Sequence, residues 1–295
     1  MKQRFRDALH LSSKNAEQLK VINGIIDEYA GEGYRLTLRQ LYYQLVSRDV
    51  IANRVQEYAK LSTLLVKGRM AGVVDWDAIE DRLRVPFLPY WVHDTGHAIK
   101  DTIEQYRLNR QKGQDVYVEL WVEKDALSGV LKRITSKYHI NLMVNRGYSS
   151  CTAMHDAYER LRVQELTNGK DTYILYLGDH DASGLDMIRD IRDRLTEFCV
   201  HPEVVPIGIT MEQIEKYNPP PNPAKMTDPR AKWYIEKYGD VSWEVDALTP
   251  QVLNELVEKS VEDLIDMDLF NEVLEREEVD KDKLRTFQER DDEDE

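Results

Sequence analysis

Cysteine is almost missing from this chain: Cys151 and Cys199 are the only two in 295 residues. They show no metal-ligand spacing, so the expectation is reduced thiols in a cytoplasmic protein. Cys151, between Ser150 and Thr152, lacks the His/Asn partner pattern of a thiol nucleophile and reads as a small packed residue. No apolar run is long enough to span a bilayer, and the start, Met1 to Asp7, has no signal-peptide core, so no membrane partner is expected. Glycine-rich phosphate loops and internal repeats are also lacking, which leaves no ATPase motif. Positive charge is scarce: 40 Lys/Arg stand against 54 Asp/Glu, a net charge of −14 that argues at first against a nucleic-acid partner.

The distribution of charge changes that reading. Residues 1–114 hold 18 Lys/Arg against 14 Asp/Glu, which leaves 22 against 40 for the rest. A mildly basic N-terminal part beside an acidic one is compatible with DNA. Some of the acidic excess lies in the last residues, Asp291 to Glu295, expected to be a solvated, mobile tail. With 42% apolar and 32% charged residues, the chain has the composition of a soluble globular protein of one large or two ordinary domains.

The N-terminal part reads as helical. Leu19, Ile22, Ile25, Ile26 and Tyr29 form an apolar stripe over Ala16 to Tyr29, stopped by Gly31-Glu32-Gly33. Thr37-Leu38-Arg39-Gln40 fits a capping box that opens a second helix. A third helix covers Arg54 to Met70, followed by a short extended piece at Gly72 to Val74 and a helical Trp76 to Arg84. Three helices and a short β element suit a winged-helix or helix-turn-helix module over residues 1–92. Pro86 and Pro89 mark its exit, and Asp94 to Gln111 reads as a connecting helix within 93–114.

From Asp115 the pattern alternates. Strands are expected at Val116–Val122, Ile140–Asn145, Thr172–Leu177 and Val204–Ile209, with helices at Ala126–Lys137, Thr152–Gln164 and Ser183–Phe198 between them. This order makes residues 115–288 an α/β domain with a parallel sheet and helices on both faces. The Pro-rich Asn218 to Pro223 reads as a loop, and two last helices as Pro250–Met267 and Leu269–Phe287, before the tail at 289–295.

Two of these strands end in acids: Glu123 after the first, Asp179-His180-Asp181 after the third. Ligand sites of such sheets lie at the carboxyl ends of the strands. Asp179 and Asp181, two apart in extended backbone, point the same way and can share an ion, while His180 points away. All-oxygen donors suit Mg²⁺, with Mn²⁺ as the second option. Such an ion orients a phosphodiester and offsets charge on its oxygens. The competing reading makes these carboxylates ordinary polar residues where strands leave the core.

The helix opening at Leu38 carries a second candidate. Leu38, Leu41, Tyr42 and Leu45 share one face, which makes Tyr42 the core aromatic and turns Tyr43 outward, one turn after Arg39. An outward tyrosine beside an arginine can attack a phosphodiester. It can equally serve as an amphipathic interface residue.

Together these segments resemble a known family. Trp121-Val122-Glu123-Lys124-Asp125-Ala126 and Gly178-Asp179-His180-Asp181-Ala182-Ser183-Gly184 resemble a Toprim domain, most closely the A subunit of topoisomerase VI and the related meiotic double-strand-break transesterases. Arg39-Gln40-Leu41-Tyr42-Tyr43 is similar to the Arg-x-aliphatic-Tyr-Tyr helix of that family, whose second tyrosine is the nucleophile. Gly147-Tyr148-Ser149-Ser150 sits where the family's second loop would be, without its Pro-Asp and following Arg. Glu244 to Leu248 resembles a segment near the family's C-terminal end. The likeness covers about residues 35–250 and implies a winged-helix-like domain followed by a Rossmann-like Toprim domain, in a compact stand-alone form.

The resemblance implies Mg²⁺-dependent breakage of double-stranded DNA by a homodimer. Tyr43 of one protomer would meet the metal of the other and leave a 5′-phosphotyrosyl end. Glu123, Asp179 and Asp181 would hold the ion and Arg39 would steady the phosphate. Lys60, Lys67, Arg69, Lys124 and Arg146 would contact DNA, and ATP-driven strand passage would need a separate ATPase subunit. Two other functions stay open: a Toprim nuclease using a metal-activated water, and a non-catalytic DNA-binding or assembly protein.

Overall fold

The computed structural model describes residues 2–5, 12–80 and 89–294. Helix α1 (Ser13–Gly31) starts where the Ser12 hydroxyl accepts from the Asn15 N–H at 3.3 Å, pairing one of the donors that a helix start leaves free. Its stripe from Leu19 to Tyr29 is buried as the spacing predicts. Helix α2 (Leu38–Ser47) opens on the expected capping box: the Gln40 N–H donates to the Thr37 hydroxyl at 3.3 Å, and the Gln40 side-chain oxygen accepts from the Thr37 N–H at 2.9 Å. Helix α3 (Val55–Met70) packs across both, and the three share one apolar core with Leu36 and Val74.

The extended piece expected at Gly72–Val74 forms no strand. The N–H groups of Val73 and Val74 both return to the Gly68 carbonyl, at 2.9 and 3.1 Å, in a turn that Gly72 permits at φ +69°. Val74 then plugs the helical core. Trp76–Ala78 is a single 3₁₀ turn, and the rest of the helix expected up to Arg84 falls largely at 81–88, with Pro86, outside the described residues. Helix α4 (Thr95–Gln105), capped by Asp94, stops short of Gln111 because the Leu108 N–H donates to Glu277 at 2.9 Å instead of continuing the helix.

The second half begins with β1 (Val116–Val122), α5 (Ser128–Tyr138), β2 (Asn141–Val144) and α6 (Cys151–Arg162). It continues through β3 (Asp171–Leu177), α7 (Ala182–Glu197) and β4 (Glu203–Gly208). All these elements lie where the alternation predicts, with ends differing by a residue or two. Cys151, expected to be packed, is exposed at the start of α6. The four strands form one parallel sheet in the order β2-β1-β3-β4. Period two sorts β1 cleanly: Val118, Leu120 and Val122 share one core with α5, while Tyr117 and Trp121 share another with α6 and α7. The chain crosses from β2 back over β1 to β3, so the sheet changes direction between β1 and β3. At such a switch the strand ends leave a crevice.

Beyond the sheet come α8 (Met211–Tyr217), β5 (Asn222–Pro223), α9 (Ala231–Tyr238) and β6 (Val241–Ser242). The loop expected at Asn218–Pro223 therefore ends in a short strand, which pairs antiparallel with β6. Helix α10 (Pro250–Glu262), capped by Thr249, packs on α5, and α11 (Met267–Asp294) runs along α4. Helix α11 has no Gly or Pro to end it and takes in 289–294, where a mobile tail was expected. No helix among the described residues is long and apolar enough to cross a membrane.

Candidate active site

Both acidic strand endings arrive at the switch point. The ladder of β1 and β3 continues past its last pair, with the Glu123 N–H donating to the Leu177 carbonyl at 2.9 Å. This sets the Glu123 carboxylate beside the next turn, where it accepts from the Asp179 N–H at 3.1 Å. Asp181 caps α7, accepting from the Gly184 N–H and the Ser183 hydroxyl, each at 2.8 Å. Gly184 is required by that geometry: a Cβ there would collide with the Asp179 carbonyl. His180 does point away, into a nest of Tyr234, Tyr238 and Trp243, with its Nδ1 2.9 Å from the Tyr234 hydroxyl.

A turn at Val245–Ala247 closes the crevice from above. The Val245 N–H donates to Asp179 at 2.9 Å, and the acids flanking it, Glu244 and Asp246, collect the nearby cations. Lys124 lies 2.8 Å from Asp179, 2.9 Å from Glu244 and 3.0 Å from Asp246. Arg39 pairs with Glu244 and, at 2.8 Å, with Asp246, which is 1% exposed. The guanidinium carbon of Arg39 stands 5.7 Å from the centre of the Tyr43 ring. Tyr43 thus lies beside Arg39, from which a run of ion pairs leads through the Glu244/Asp246 pair to Lys124 and Asp179.

Tyr43 is not outward-facing as the helical wheel predicts; it is 3% exposed. The wheel assumes one covered face, but α2 is covered by α1 and α3 on one side and by the Val245–Ala247 turn and β5 on the other. Tyr43 leaves the face of Leu41 and Leu45 only to meet Asn222, whose amide donates to its phenol oxygen at 3.2 Å. It lines a cavity of about 400 Å³ with Arg39, Tyr58, Asn53, Asn222 and Glu244. A second cleft of about 400 Å³, lined by Glu123, Lys124, Arg146, Asp179 and Lys225, shares Arg39 and Glu244 with the first.

The electrostatics follow from burial. Burial, and then the charge of Asp179, push the Glu123 carboxyl up to about 7. Burial likewise raises Asp179, against the pull of Lys124. Burial alone would lower Lys124, but Asp246 and Asp179 outweigh it and raise it. For Asp181 the Gly184 N–H, Ser183 and Lys225 overcome burial and hold it below the usual carboxylate range. Burial and the charge of Asp246 raise the Tyr43 phenol, opposed by the Asn222 hydrogen bond and by Arg39.

Of the expected DNA contacts, only Arg146 borders the cleft with an exposed head, 3.3 Å from Asp125. Lys124 is enclosed among three carboxylates, because an ammonium at the end of β1 offsets charge that burial would otherwise make costly. The Arg69 guanidinium donates to the Trp76 and Ile79 carbonyls and pins the turn after α3. Lys60 pairs with Glu57 on the surface, and Lys67 is exposed; neither lines the clefts. Sequence reasoning missed Asn53, Asn222 and Lys225. Their only local signal is a polar residue ending or following a turn, Asn222 between two prolines.

Glu123, Asp179, Asp181, Glu244 and Asp246 offer only oxygen, the donor type that a hard divalent cation takes, and they face three cations, Arg39, Lys124 and Lys225. Glu123 has no basic side chain within ion-pair distance among the described residues. Among those residues, too, no three acidic, His or Cys side chains are already gathered into a metal cage: Lys124 takes one oxygen of Asp179, and Lys225 lies 3.2 Å from Asp181. No protein-family model matches the chain, and no curated protein matches it.

Proposed function

We propose that this chain is a metal-dependent DNA transesterase in which Tyr43 is the nucleophile. One observation carries the reading: a phenol far away in sequence lies beside Arg39, the end of an ion network that reaches the acidic strand edge along two clefts sharing Arg39 and Glu244. In this reading α1–α3 are the winged-helix-like module and the parallel sheet is the Toprim module. The Tyr43 oxygen attacks phosphorus and loses its proton, the new O–P bond makes a 5′-phosphotyrosyl end, and the 3′-oxygen leaves with a proton. Arg39 faces the phenol and is placed to receive a phosphate oxygen if it releases Glu244.

Glu123, Asp179 and Asp181 would hold Mg²⁺, which when bound supplies positive charge to the phosphate oxygens. Lys225 would have to yield Asp181, and Lys124 would keep Asp246 and Glu244. The family resemblance implies a homodimer working in trans on double-stranded DNA. The network within one chain supports an arrangement in which Tyr43 also neighbours its own acidic edge.

The burial of Tyr43 favours a second reading, a metal-dependent nuclease that uses water and keeps Tyr43 structural. One assay separates the two. Supercoiled DNA with Mg²⁺ or Mn²⁺ should yield protein covalently bound to DNA after denaturation, and Tyr43→Phe should abolish it. Cleavage that survives Tyr43→Phe but is lost in Asp179→Ala assigns hydrolysis. DNA binding without cleavage would leave a binding or assembly role.

A further inference from the structure

Tyr43 does not meet its surroundings alone; its oxygen ends a directed chain of hydrogen bonds. The chain starts at the Pro221 carbonyl, a group that can only accept. The side-chain amide of Asn53 lies 2.9 Å from that carbonyl, so the NH₂ end of Asn53 must face it. The same NH₂ lies 2.9 Å from the amide of Asn222, which must therefore turn its oxygen toward Asn53. The oxygen of Asn53, left on the other side, accepts from the Tyr42 hydroxyl at 2.9 Å. With its oxygen committed, Asn222 has only its NH₂ for Tyr43, and it donates to the phenol oxygen at 3.2 Å.

We propose that Asn222 is a positioning residue for the Tyr43 nucleophile, held as a hydrogen-bond donor to its oxygen by Asn53 and Tyr42. The donor engages a lone pair of the phenol oxygen, so it favours negative charge there and turns the phenolic proton away from Asn222. An amide free to flip could present oxygen and oppose that charge; the Pro221 carbonyl removes the choice by fixing Asn53, and Tyr42, whose hydroxyl also has the Arg54 carbonyl at 3.3 Å, adds to it. The adjacent tyrosines thereby take different tasks, Tyr42 orienting the amide system and Tyr43 receiving its donor. This inference rests on Tyr43 being the nucleophile, but the hydrogen-bond direction has a readout that needs no DNA.

The test uses the full chain carrying 3,5-difluorotyrosine at position 43, whose phenol ionises near neutrality, followed by ¹⁹F NMR across pH. The charged groups around this phenol are Arg39 from its own helix, Asp246 from the turn above and Lys124 after β1, with Arg54 and Glu244 lining the same cavity, and all five stay in every variant. In Asn222→Ala the ionisation midpoint should rise by about one pH unit, the size of a lost charge-assisted hydrogen bond. Asn53→Ala should move it the same way, and Tyr42→Phe by about half as much, since the Pro221 carbonyl still orients Asn53. An unchanged or lower midpoint in folded Asn222→Ala would overturn the proposal. Should that variant not fold, Asn53→Ala decides, because Asn53 is what commits the Asn222 oxygen: a rise supports the relay and an unchanged midpoint overturns it. If wild-type protein forms no covalent DNA complex yet the midpoints shift as expected, the nucleophile reading fails while the relay stands. Where covalent complexes do form, Asn222→Ala should slow their appearance about tenfold at neutral pH.

Discussion

Arg39 and Lys124 meet on the same two carboxylates: each cation pairs with both Glu244 and Asp246. Arg39 comes from the helical half and Lys124 from the first strand of the sheet, so the acidic turn is the joint between them. Removing Asp246 takes the buried partner from Arg39 and one of two from Lys124, which keeps Asp179. Asp246→Ala should cost about 3 kcal/mol in denaturant unfolding, and Asp246→Asn less. A loss under about 0.5 kcal/mol would show that the joint carries no stability.

Metal binding should depend on all three expected ligands. Mn²⁺ titrations followed by electron paramagnetic resonance should show the bound fraction lost in Asp179→Asn and Asp181→Asn and weakened in Glu123→Gln. Full retention of binding in Asp179→Asn would place the ion elsewhere.

Lys225 pairs with Asp181 at 3.2 Å through a side chain two-thirds exposed, and a metal on Asp181 would have to displace it. A pair so open to water contributes under about 1 kcal/mol, so Lys225→Ala should tighten Mn²⁺ binding by no more than about fivefold. Weaker binding would mean that Lys225 supports the site instead of occupying it.

Glu277 on α11 is 1% exposed and accepts from the Leu108 N–H, Arg110 and Lys281. Burial alone would raise its carboxyl, but these partners outweigh it and hold it at about 2, against an ordinary 4.5. A carboxyl depressed on folding contributes stability above its unfolded value, and that contribution fades as pH falls from about 4.5 toward 2. Glu277→Gln should lower stability at neutral pH and flatten the acid limb over that window, as read by thermal unfolding at stepped pH. A limb of unchanged slope would remove Glu277 from the acid response.

Gly184→Ala should be far worse than an ordinary helix Gly→Ala exchange, which usually helps. Its Cβ would meet the Asp179 backbone, which is not the free end of a flexible side chain, so either α7 or the acidic turn must shift. An expected loss of about 2 kcal/mol, with Mn²⁺ binding impaired, follows from that overpacking. Normal melting and normal binding would contradict it.

Much of this could be read before any coordinates. Four parallel strands, the capping box of α2 and the arrival of Glu123 and Asp179 at one sheet edge all follow from patterns local to a few residues. What escaped depends on distant pairing. Strand β5 is two residues long and exists only because Val241–Ser242 lies beside it. Tyr43 is buried by Asn222, 179 positions away, and no helical wheel contains that partner. Helix α8 is a different case: Thr210 and Gln213 form a capping box that is legible in the sequence and opens the short helix. Lys124 and Arg69 have the charge of DNA contacts, but charge alone does not say whether a lysine or arginine faces water or carboxylates and carbonyls.

Ala247 sits in the core of α1, α2 and α3 although it belongs to the turn that caps the acidic crevice. The Tyr34 hydroxyl accepts from Asn254 of α10 at 3.3 Å on the same seam. Cutting the chain after the connecting helix would therefore not yield two self-sufficient pieces. The N-terminal piece would carry a hole where Ala247 belongs, and the C-terminal piece would expose the acids that Arg39 neutralises. Melting should accordingly show one cooperative transition, and any separation of the halves that exposed Tyr43 would have to break the Arg39 pairs as part of the same event.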